Sequence, residues 1–118
     1  MSVKTYNYYN KRAYVVGDIH GHFDIIKNQI KTYKITDSVI IFAGDIGFGF
    51  EKAEHYKQIF PKLNKVMKTQ GNVLLFVRGN HDDPSYFQEE KINYSNIKSI
   101  PDYSVINFYQ DWDDEMIG

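Results

Sequence analysis

The sequence contains no cysteine. That excludes a disulfide framework, a thiolate metal site and a cysteine nucleophile, and it suits a reducing compartment. Long hydrophobic runs are missing too: none approaches the roughly 20 apolar residues of a membrane-spanning helix. The polar start, MSVKTYNYYNKR, lacks the apolar stretch of a secretory signal. The expected location is therefore the cytoplasm. An excess of one charge is also absent. With 14 Lys and Arg against 15 Asp and Glu, the formal net charge is −1. The two signs are mixed along the chain, so no basic face points to nucleic acid or to an anionic membrane. Without repeats, low-complexity blocks or a linker, residues 1–118 are expected to form one domain around one core.

What is present begins with three short apolar runs, AYVV (13–16), SVIIFA (38–43) and VLLFV (73–77). Runs that are apolar throughout, rather than alternating, read as strands covered on both faces. Between them Phe23, Ile26, Ile30 and Tyr33 recur at helical spacing, with Asp24 placed where the helix dipole favours an acid. Tyr56, Ile59, Phe60, Leu63, Val66 and Met67 share the face of a longer helix, and Pro61 inside it predicts a kink or a division into two helices. QGN (70–72) predicts the stop. The sum is an α/β fold, β-α-β-α-β, whose crossovers make the three strands parallel. Further on, PSYF predicts one helical turn, and IKSI (97–100) and SVINFY (104–109) two more strands. Tyr6, Tyr8, Tyr9 and Tyr14 are expected to cover an edge of the sheet, and the acidic tail from Asp111 to Glu115 to be solvated.

Chemistry gathers where the runs end. The first ends in GDIHGH, with Asp18 and His20; the second in AGDIG, with Asp45; the third in RGNHDD, with Asn80, His81 and Asp82. Open parallel sheets bind ligands outside the carboxyl ends of their strands, so all six residues are expected at one edge. Carboxylate, imidazole and amide donors without thiolate suit manganese, iron or zinc better than an all-oxygen calcium cage. Asp45, in the middle, has two oxygens with which to touch two ions. His22 and His55 read as exposed residues of helices.

The set GDIHGH, GD and GNHDD resembles the calcineurin-like metallophosphoesterase family over about Ala13 to Pro84. The resemblance implies the first half of an αββα sandwich and hydrolysis of a phosphate mono- or diester at a pair of divalent ions. It implies that Asp18, His20 and Asp45 hold one ion and that Asp45 and Asn80 hold the other. Asn80 and His81 would then meet the substrate phosphate, His81 as the catalytic proton donor, with Asp82 orienting its ring.

Two departures qualify what the resemblance implies. The family's middle motif often reads Gly-Asp-x-x-Asp-Arg-Gly, but GDIGFGF puts Phe48 in place of the acid and Gly49 in place of the phosphate-gripping arginine. Arg78 is left either to take over that grip or to cap its strand. The chain's four histidines, at 20, 22, 55 and 81, also include none of the family's downstream ligands. This implies a truncated member of low or no activity, or a catalytically dead remnant that binds metal or a protein. The missing half would leave one sheet face bare, and self-association is the expected cover.

Overall fold

The apolar runs become the middle of the molecule. The computed structural model describes residues 3–110. Its elements are β1 (Lys4–Tyr9), β2 (Arg12–Val16), α1 (Phe23–Thr32), β3 (Ser38–Phe42), α2 (Ala53–Gln70), β4 (Val73–Phe76), α3 (Ser85–Gln88), β5 (Ile97–Ser99) and β6 (Ser104–Tyr109). Strands β2-β3-β4-β5 form one sheet in that order, every neighbouring pair parallel. Each crossover steps the same way across the sheet, so crossovers of one hand put their helices on the same face. That face carries the larger core, in which Phe23, Ile26 and Ile30 of α1 and Tyr56, Phe60, Leu63 and Met67 of α2 pack on Ile40, Phe42, Leu74, Phe76 and Ile97.

Helix α1 buries the predicted face except for Tyr33, which lies at its C-cap and is 70% exposed. Helix α2 runs through Pro61 as one helix rather than two. Pro61 is on the exposed side, so the backbone carbonyl it deprives of a partner can turn to water. Gly71 then stops the helix in the left-handed conformation (φ 72°), as QGN predicted. Asn72 sits behind this stop, fully buried: Ser38 N–H donates to its Oδ1, and its Nδ2 donates to the Ile35 carbonyl and to Gln70 Oε1.

The opposite face of the sheet is not bare. The polar N-terminal segment, for which no strand was predicted, is strand β1, and it pairs in parallel with β6, Tyr6 opposite Ile106 and Tyr8 opposite Phe108. This ribbon lays Tyr6 against Val39, Val73, Leu75 and Ile100, with Tyr8 and Ile106 packed beside them. The packing reason to expect self-association over that face is thereby removed. Of the tyrosine cluster, Tyr6 is buried, whereas Tyr9 and Tyr14 remain exposed. The acidic tail lies outside the described residues.

Candidate functional site

Parallel order brings the three motif loops to one edge, and backbone hydrogen bonds sew them together. Ala43 N–H donates to the Val16 carbonyl (2.9 Å) and Val77 N–H to that of Phe42 (2.8 Å), carrying the ladders just beyond the strands. Past that point Ile19 and His20 both donate their N–H groups to the Asp45 carbonyl, at 3.1 and 3.0 Å. His20 adopts a left-handed backbone (φ 48°), a conformation that non-glycine residues hold only where their surroundings impose it.

The side chains continue the same chain of contacts. Asp45 N–H donates to Asp18 Oδ1 (2.8 Å), while Asp18 Oδ2 lies 3.6 Å from His20 Nε2. Gly44 makes this approach possible: its φ is 111°, and a Cβ there would overlap the Asp18 carboxylate. Asp45 in turn receives His81 twice, from the backbone N–H to Oδ1 (3.0 Å) and from ring Nδ1 at Oδ2 (2.7 Å). The ring stands 75% exposed beside a carboxylate that is 13% exposed. Hydrogen bonding to Asp45, and then its charge, raise the His81 pKa above the ordinary imidazole value. The two hydrogen bonds from His81 lower that of Asp45. Asn80 is exposed on the turn between Gly79 and His81.

Asp82 is placed otherwise than expected. The group on the His81 ring is Asp45, and Asp82 is turned inward, only 4% exposed. Its Oδ1 accepts the N–H groups of Gly47 (2.7 Å) and Phe48 (3.0 Å), and its Oδ2 those of Ile46 (3.1 Å) and Gly79 (2.9 Å). One carboxylate thus pins the loop that carries Asp45 to the loop that carries His81. Asp83, not singled out in the sequence, holds Ser85 N–H and Oγ at 3.0 and 2.9 Å and so fixes the start of α3. The acid-Pro-Ser order of DDPS was the available signal for that turn.

A family model of the calcineurin-like phosphoesterases matches residues 11–116 of the 118-residue chain. The chain belongs to that family. Neither the curated proteins nor the solved structures compared with it contain a match.

Within a calcineurin-like phosphoesterase, GDIGFGF now has a physical reading. Phe48 is fully buried and stacks on Tyr86 (5.2 Å between centroids), with Phe76, Tyr56 and Phe87 edge-on around it. Its place is a core position. Gly49 has φ 95°, and a Cβ there would come within 2.7 Å of the Asp83 Cβ, which leaves no room for an arginine. Nor is Arg78 free to replace one: its Nε and Nη2 bind Asp102 at 3.0 and 2.8 Å in a two-pronged ion pair.

The family's divalent ions can be tested against these donors. Asp18, His20, Asp45 and Asn80 have the right chemistry and sit on the right edge, and the 3.6 Å between Asp18 and His20 suits two groups sharing an ion. The Asp45 carboxylate, however, is taken up by His81. Among the described residues no group of three or more His, Cys, Asp or Glu side chains is arranged to hold a metal. Holding an ion there would require the His81 ring to leave Asp45.

Proposed function

We propose that this edge hydrolyses phosphate mono- or diesters. The observation that carries the reading is the continuous contact Asp18–Asp45–His81 across three strand ends. Asp18, His20 and Asp45 would hold one divalent cation, and Asp45 and Asn80 a second, of the manganese, iron or zinc class. When bound, such ions supply Lewis acidity and neutralise phosphoryl charge. The chain's own groups supply the rest. With Asp45 given over to the cations, the exposed His81 ring would donate a proton to the leaving oxygen. Asn80, exposed on the same turn, would give its amide to a phosphoryl oxygen. Asp82 acts beneath them by fixing the two loops.

No arginine grips phosphate here, so turnover by this chain alone is expected to be low. The test is differential scanning fluorimetry with Mn²⁺, alongside hydrolysis of an aryl phosphate and a bis-aryl phosphate by wild type and Asp45→Asn. The expected outcome is a higher melting temperature with metal and slow hydrolysis that Asp45→Asn abolishes. Unchanged melting at millimolar metal, or turnover that survives Asp45→Asn, refutes the reading. A second reading, a catalytically dead remnant that binds metal or a protein, is favoured by the occupation of Asp45 by His81. Metal stabilisation without any turnover would select it. Among the described residues no helix is long and apolar enough to cross a membrane, and a cysteine-free chain suits the reducing cytoplasm.

A further inference from the structure

Both oxygens of the Asp45 carboxylate are held by a single residue. Oδ1 accepts the His81 backbone N–H (3.0 Å), and Oδ2 faces ring Nδ1 (2.7 Å). Asp18, by contrast, gives one oxygen to the Asp45 N–H and turns the other toward His20. The two contacts on Asp45 differ in how firmly they are held. The backbone N–H belongs to a turn fixed from beneath, because Asp82 accepts Gly79 N–H together with three amides of the loop that follows Asp45. The ring has no such support. It is 75% exposed, and among the described residues Asp45 is the only hydrogen-bond or ion-pair partner of the His81 side chain.

We infer that the His81 ring is a displaceable competitor for Asp45, so that Oδ2 serves either the ring or a divalent cation. The inference rests on the cation sites proposed above and adds a coupling to them: His81 turns to substrate only when Asp45 turns to the cations. A ring proton and a cation seek the same lone pairs of one oxygen, and like charges there oppose each other. Release needs only rotation of an exposed side chain, while the His81 backbone N–H stays on Oδ1 and the loops keep their places. The cost to cation binding is therefore that of one charge-assisted hydrogen bond. With the ring mostly in water that cost lies at its low end, about tenfold in the apparent Kd. Removing a true ligand weakens binding, whereas removing a competitor strengthens it. His81 thus differs in sign from Asp18, His20, Asp45 and Asn80.

Isothermal titration calorimetry of the whole chain with Mn²⁺, at one fixed pH, measures that sign. His81→Ala should bind about tenfold more tightly than wild type, and Asp18→Ala more weakly. The second readout is the His81 ring itself, followed by nitrogen-resolved NMR as diamagnetic Zn²⁺ is added to wild type. Nδ1 should pass from hydrogen-bonded to free as the site saturates, a change that a merely structural histidine would not show. Should His81→Ala fail to fold, the ring signals of wild type decide alone. Equal or weaker Mn²⁺ binding by His81→Ala, or a ring still bonded to Asp45 at saturation, overturns the inference and leaves the phosphoesterase reading standing. Metal binding by neither protein overturns both.

Discussion

Replacing Asp82 with alanine is the sharpest probe of how this site is held. In the folded protein its carboxylate accepts four backbone N–H groups, those of Ile46, Gly47, Phe48 and Gly79. Three of these donors belong to buried residues. A buried donor left without a partner costs about 1–3 kcal/mol. Alanine opens space for water, so the lower end, about 1 kcal/mol for each of the four, is appropriate and gives about 4 kcal/mol. That is a large part of a typical domain's stability of about 5–15 kcal/mol. For a chain of this length about 4 °C of melting temperature corresponds to 1 kcal/mol, so the midpoint should fall by about 15 °C. Asp82→Asn retains one accepting oxygen and turns an amide against the remaining donors, so about half the loss or slightly more is expected. Asp83→Ala is the neighbouring control: it removes two exposed hydrogen bonds to Ser85 and should cost about 1 kcal/mol. Urea unfolding followed by circular dichroism measures all three. An Asp82→Ala protein within about 1 kcal/mol of wild type would refute the account of Asp82 as the pin between loops. Lost turnover with unchanged stability would instead restore it as a partner of the His81 ring.

The His81–Asp45 pair should govern pH behaviour. Its raised imidazole pKa contributes stability that is full below the ordinary histidine value and lost as pH rises through the folded one. The lowered Asp45 pKa contributes stability present above the ordinary carboxylate value and lost as pH falls through its depressed one. The pair is therefore strongest between about pH 4 and 6.5, and the His81 titration midpoint, followed by NMR, should drop in Asp45→Asn; an unmoved midpoint counts against the contact. Phe48→Ala should cost about 3–5 kcal/mol in urea unfolding, and Phe48→Asp, which buries an unpaired charge in the same aromatic cluster, should prevent folding. Asn72→Ala, which strips three hydrogen bonds from the junction of α2, β3 and β4, should cost about 2–3 kcal/mol. Asp102→Asn breaks an exposed ion pair and should change stability by less than about 1 kcal/mol.

Elements with a strong period were legible from residues alone. SVIIF and VLLF are apolar because both of their faces are covered, and the helix faces of α1 and α2 followed their spacing. AYVV looks the same on paper, but composition carries no information about rank in a sheet, and β2 lies at the rim. Strand β1 was missed because its inward residues are Tyr6 and Tyr8, which hide a period-two alternation with Thr5 and Asn7. Of the kink or division that Pro61 predicted, the division does not occur, because the missing N–H costs little where the freed carbonyl faces water. At the site, edge and residue types were readable, since strand polarity dictates them. Side-chain aim was not: His81 and Asp82 are consecutive, yet the tight turn sends one outward to Asp45 and the other inward to four amides.

The contact between positions 49 and 83 has a bearing on how this lineage can change. A lone Gly49→Arg substitution would drive its Cβ into the Asp83 Cβ and force a side chain into a left-handed backbone. Placing an anion-clamping guanidinium at that point requires rebuilding the neighbouring turn, including the aspartate that holds Ser85. A phosphate-facing guanidinium would be reached more easily elsewhere on the edge, for instance by releasing Arg78 from Asp102.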